Sequence, residues 1–181
     1  MKHASQVIFD RNSVEFVTVA VEFCAFVERC EGIKRAEFVD TLLKILPLLY
    51  IKTLMLPACE AMGDDELETF VTEEDYEVIR LNLQELLADC DDYLDVFVQD
   101  MKYSDTPIRK SIAEDLADIY QAVKDFVCQF QSGLNEIMHN ALVQCQEHFA
   151  AYWGQTLVNT MRALHEVKFG KADNDEEDYD G

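Results

Sequence analysis

The sequence predicts a single all-α domain, an antiparallel bundle of about five main helices followed by a disordered acidic tail. Three observations predict it. Breakers are scarce, with 3 Pro and 6 Gly among 181 residues, whereas turn-rich β folds use Gly and Pro at every hairpin. Apolar residues, 49% of the chain, recur at spacings of three and four over long runs, which is the helical period. The length suits one domain with a substantial core. The expected division is a helical domain over 1–170 and a tail over 171–181.

The first helix is expected from "NSVE", with Asn12 as cap and Glu15 reaching back in a capping box. Val14, Val17, Val21, Cys24 and Val27 carry its apolar side. "VTVAVEF" also alternates like a strand, but the run continues without Gly or Pro to Gly32, a natural residue to end a helix. The second helix runs from about Arg35 to Met55. It is apolar on most sides, which places it in the middle of a bundle, and Pro47 should kink it. Residues 57–71 form the one long loop. Thr72 opens the third helix, whose acidic first turn suits the helix dipole. "DDYLDVFVQDM" either extends this helix or starts a short one. "YSDTP" is a turn. Thr106 then caps the fourth helix with Pro107 at its first position, and Ile108, Ile112, Leu116, Ile119, Val123, Phe126 and Phe130 repeat at helical spacing. Gly133 separates it from a long last helix, roughly 135–168, which Gly170 ends. The tail "KADNDEEDYDG" holds six carboxylates and almost nothing apolar, the composition of a disordered segment.

Charge narrows the function. Asp and Glu number 36 against 15 Lys and Arg, a net charge of −21. Direct nucleic-acid binding needs clustered cations, and an anionic membrane surface repels such a chain. A basic protein partner, a divalent cation or plain solubility fits. The start lacks a signal-peptide run, and the most apolar stretch, 42–57, is too short to span a bilayer. The six Cys form no CxxC pair and read as buried fillers in a reduced cytoplasm.

Metal chemistry requires carboxylates that converge. "EIMH" places Glu136 and His139 at the spacing of a di-iron ligand pair, but the motif has no second copy. A Mg²⁺ site is the only cofactor suggested. Its candidates are Asp91, Asp92, Glu114 and Asp118, with Asp92 and Asp118 the first choices as ligands, and the plainer reading is the solvated face that every helix needs. His139, His148 and His165 have no Ser or Cys partner in a nucleophile motif, and no Gly-rich phosphate loop is present.

"AYWGQTLVNTMRALH" (151–165) holds the single Trp. Trp153 follows the apolar stripe and reads as core, with surface contact the alternative. Gly154 costs about 1 kcal/mol against Ala inside a helix, which close approach of a neighbouring helix would offset. Gln155, Asn159, Arg162 and Glu166 form one polar strip. Arg162 either bridges to Asp118 or Asp92 or, with Asn159 and His165, forms an anion or partner contact.

Three blocks, "DDYLDVF" (91–97), "LADIYQAVKDF" (116–126) and "YWGQTLVNTMRALH" (152–165), resemble those of an uncharacterised all-helical bacterial family, a domain of unknown function. The resemblance implies a cytoplasmic, all-helical protein and supplies no activity. It also implies an acidic residue where this chain has Ala122, so a ligand pair built with Asp118 would be incomplete here. Three functions stay open. One is a non-enzymatic cytoplasmic accessory protein whose acidic surface docks a basic protein. The second is a Mg²⁺-dependent hydrolase of phosphate esters or nucleotides, with Arg162 on the phosphate. The third is an acidic mimic of nucleic acid.

Overall fold

Helix α5 (Ile112–Phe130) is the axis about which the other elements pack. It touches α2 (Arg11–Glu28), α4 (Glu73–Leu87), α6 (Asn135–His148) and α7 (Gly154–Phe169). The computed structural model describes residues 5–95 and 107–170. A single turn, α1 (Ser5–Ile8), precedes α2 and rests on α6, and α3 (Arg35–Leu54) packs on α2 and α7. One continuous core unites them, with Phe16, Phe23, Phe38, Leu42, Leu83, Leu116, Val123 and Trp153 fully buried. The bundle is therefore helical and single-domain, as the sequence predicts. The tail at 171–181 and the predicted cap Thr106 lie outside the described residues.

The helix expected in the middle of the bundle, α3, is not the central one. One face of α3 buries Phe38, Leu42, Leu46 and Leu49, while Leu48, Ile51 and Leu54 are exposed on the other. The central place goes to α5, whose apolar side residues recur so regularly that four neighbouring helices can share it.

Several boundaries differ from expectation. Asp10, not Asn12, caps α2, accepting from the Asn12 amide at 2.9 Å. Glu15 instead binds Arg11 and Lys52, at 2.8 and 2.7 Å. Thr72 does cap α4 in a reciprocal box with Asp75. Beyond α4, the described part of "DDYLDVFVQDM", residues 91–95, neither continues the helix nor starts a short one, and its remainder lies outside the described residues. Ala88 takes a positive φ of 49°, a conformation that ends a helix, and one 3₁₀ turn (Ala88–Cys90) leads into β1 (Asp92–Leu94). β1 pairs antiparallel with β2 (Arg109–Ser111), with Tyr93 opposite Lys110. Pro107 and Ile108 thus precede a strand rather than opening a helix. Ser111 caps α5 through the Glu114 amide at 3.2 Å. "SIAE" carries the same Ser-x-x-Glu signature as the caps read elsewhere.

The predicted last helix is continuous but interrupted by a π turn, Phe149–Trp153, between α6 and α7. The Gly154 amide donates to the Phe149 carbonyl, five residues back. A Cβ on Gly154 would lie 2.6 Å from that oxygen and 2.9 Å from the Phe149 ring. The close approach that requires glycine therefore comes from the chain's own wide turn, not from a neighbouring helix. π turns recur where a helix must re-aim its face, and here the turn swings Trp153 inward onto Phe149, edge to face at 4.7 Å.

The loop between α3 and α4 is pinned by side chains of α5 and α6. Gln146 donates to Pro57 O, His139 Nε2 lies 2.6 Å from Glu60 O, and Asn140 pairs with both backbone groups of Met62. Gln129 donates to Glu68 O, and Asp125 accepts from the amides of Phe70 and Val71, both at 2.8 Å. Backbone groups that helix formation leaves unpaired are satisfied one by one. The Glu60 carbonyl only accepts, so His139 donates from Nε2.

Candidate functional site

Helical spacing puts Asp115 and Asp118 one turn apart on α5, and three tyrosines from three other elements converge on them. Tyr76 of α4 and Tyr152 of the π turn each donate to Asp118, both at 2.7 Å and to different oxygens. Tyr93 of β1 donates to Asp115. Arg162 of α7 covers the outer side. Its guanidinium carbon sits 5.6 Å from the Tyr93 ring centroid, and Nη2 donates to Leu94 O at 2.5 Å. A guanidinium over a ring face is an attractive arrangement.

The electrostatics follow from burial. Asp115 is only 6% exposed. Desolvation pushes its carboxyl up to about 6, against the opposing pull of the Tyr93 hydrogen bond and nearby Lys110. Tyr93 and Tyr76 rise well above the ordinary tyrosine value, first through burial and then because each donates to a carboxylate. Tyr152 rises to about 12 for the same reasons. Burial opposes ionisation of Asp115 and of the three tyrosines alike, and each hydroxyl proton stays in a hydrogen bond to a carboxyl oxygen. The network fastens β1, α4 and the π turn to the central helix.

The structure divides the predicted acidic cluster. Asp91 is buried and caps α5, accepting from Ser111 Oγ and the Ala113 amide, both at 2.7 Å. Asp92 is exposed on β1, 3.7 Å from Arg109. Glu114 is exposed in the first turn of α5. Asp118 is held by the two tyrosines. Among the described residues no three His, Cys, Asp or Glu side chains come together as a metal site. Ala122 packs against the core one turn beyond Asp118.

The strip on α7 also divides. Asn159 accepts from Gln155 at 3.0 Å. Arg162 makes no ion pair among the described residues, so the expected bridge to Asp118 or Asp92 is replaced by the Leu94 carbonyl and the Tyr93 ring. His165 lies against Phe169, 4.7 Å between ring centroids. Arg162 and His165 border an apolar hollow of about 450 Å³ with Leu43, Pro47, Tyr50 and Met161. Trp153 is core, with 0% of its surface exposed.

Asp115, Tyr76, Tyr93 and Tyr152 escape sequence reading. The partners are 22 to 42 residues apart. One signal was available: Tyr93, Asp118, Tyr152 and Arg162 fall in the three resemblance blocks, which meet here in space.

A helical bundle with a two-stranded ribbon set before its central helix is thus the class of protein the fold defines. The chain belongs to the family described as "Domain of unknown function (DUF5063)", whose family model matches residues 7–170. The resemblance to an uncharacterised all-helical bacterial family is borne out. The crystal structure of protein BF1032 from Bacteroides fragilis is similar, with 58% identity and a TM-score of 0.83 over 92% of this chain and 98% of that one. No curated protein matches the chain. No described helix is long and apolar enough to cross a membrane.

Proposed function

We propose that the protein is a non-enzymatic interaction or accessory protein that docks a basic protein partner on an acidic surface. The observation that carries this reading is the stretch between Lys52 and Arg80. It contains nine carboxylates and no Lys or Arg. Seven of them, Glu60, Asp64, Asp65, Glu66, Glu68, Glu73 and Glu74, are exposed and make no ion pair among the described residues. Their backbone is held in place by Asp125, Gln129, His139, Asn140 and Gln146. A field of one sign on a fixed scaffold steers an oppositely charged partner, and preorganisation lowers the ordering cost of binding.

The test is affinity capture from native lysate with the full chain beside the variant Asp64→Asn, Asp65→Asn, Glu66→Gln, Glu68→Gln. A basic protein retained in stoichiometric amount by the first and lost by the second, with retention falling as salt rises, is the expected result. Capture of nothing, or capture indifferent to the four charges and to salt, sinks the reading.

A further inference from the structure

The described surface carries apolar side chains that its own acidic groups surround. Phe70 is 43% exposed, and Val78 and Leu81 are each 52% exposed. Phe70 and Val78 line a groove of about 280 Å³ with Val71, Ile79, Tyr120 and Cys128, between the start of α4 and the α2–α5 pair. Along α4, Glu74, Val78, Leu81 and Glu85 are spaced four, three and four, so the apolar pair sits on one stripe with a carboxylate at each end. Glu73, Glu74 and Asp75 fill the first turn above the groove.

The cations nearby are already engaged. Lys124 binds Glu28 at 2.7 Å, and Arg80 binds Glu77 at 2.8 Å. An occupant therefore meets apolar side chains rimmed by uncompensated negative charge. A second copy of this chain, at net charge −21, would bring like charge to that rim, and an anionic bilayer would do the same. Charge complementarity selects the opposite sign.

Resting on the reading of an acidic docking protein, we propose that this groove seats the apolar face of a basic amphipathic helix from the partner. Apolar anchors at helical spacing would enter beside Phe70, Val78 and Leu81. Lys or Arg on the flanks would face Glu74, Asp75 and Glu85. This is the helix-in-groove mode of recognition, in which a few apolar anchors set affinity and flanking charges set orientation.

The probe is a synthetic amphipathic helix made only of Leu and Lys, titrated into the isotopically labelled full chain and followed by amide chemical shifts at physiological salt. A control peptide has the same composition with the amphipathic order scrambled. The expected result is shifts concentrated at Phe70, Val71, Val78 and Leu81, with the scrambled peptide weaker. The double variant Val78→Ser, Leu81→Ser should weaken the helix about tenfold. Both positions are more than half exposed, so that variant should fold. Shifts spread over the acidic surface, equal for both peptides, overturn the groove and leave the basic-partner reading standing. Unchanged affinity in the double variant overturns the groove in the same way. Absence of any binding by either peptide overturns both. Peptide binding at the groove with no partner captured from lysate supports the groove and counts against the accessory role alone.

Discussion

Two sets of carboxylates divide this molecule. Asp91 and Asp115 are buried beside and on α5 and Asp118 is half-buried one turn along it, and the three accept from a serine, a backbone amide and three tyrosines. Glu60 to Glu68 face outward on a loop whose backbone, not whose acid groups, is tied down, and Glu73 and Glu74 extend the set onto the first turn of α4. The inner set shows that an acid count says little about chemistry. A buried carboxylate supplied with hydroxyl and amide donors is a structural joint, whereas an exposed one contributes to a long-range field.

The sharpest way to break the inner set is to disturb the turn that delivers Tyr152. Gly154→Ala forces a methyl into the Phe149 carbonyl and ring, and should cost about 3 kcal/mol of unfolding free energy by urea titration. An unchanged midpoint would mean that the π turn is not present in solution. Next in size is Asp91→Ala, which strands the Ser111 hydroxyl and the Ala113 amide and should cost about 2 kcal/mol by the same measurement.

Asp115→Asn is expected to act in the opposite direction at neutral pH. The folded carboxyl titrates at about 6, above its unfolded value, so the native state binds the proton more tightly. Its contribution favours the fold most at acid pH and declines as pH rises through roughly 4 to 6. Above that window the buried charge is a cost. Asparagine keeps an acceptor for Tyr93 and carries no charge, so at pH 8 the variant should gain on the order of 1 to 2 kcal/mol. At pH 4 the gain should vanish. Thermal melts across that range check it, and a loss at pH 8 would show that the ionised form is required. The smallest effect belongs to the outer set. Neutralising Asp64, Asp65, Glu66 and Glu68 together should change stability by less than about 0.5 kcal/mol, and a large loss would mean that those charges are structural after all.

The helices were legible because their signals are local. Thr72, Gly133 and Gly170 mark ends where the residue type is decided within one turn. The spacing of Ile112, Leu116, Ile119 and Val123 identifies α5 without reference to anything else. The ribbon was not legible. Each strand has three residues, too few for alternation to register, and their pairing is non-local. The cap at Asp10 rather than Asn12 is ambiguous in the sequence for a related reason, since both residue types cap well and only the entering chain direction separates them. Gly154 did advertise a close approach. Its partner is not legible, because the wide turn at Phe149–Trp153 is a backbone event that the residue types on either side do not announce.

The site was legible only in fragments. Asp91, Asp118 and Arg162 stand out in the sequence, but their roles depend on Ser111, Tyr76, Tyr152, Tyr93 and the Leu94 carbonyl. Most of these donors and acceptors come from distant parts of the chain. By itself the sequence determined the helical class, the acidic field and most helix ends, because helical period, capping and net charge are properties of neighbours and sums. Only the tertiary structure decided which helix is central, which carboxylates are sealed inside and which face water. Burial of a charge is tolerable only where partners far away in sequence arrive to satisfy it.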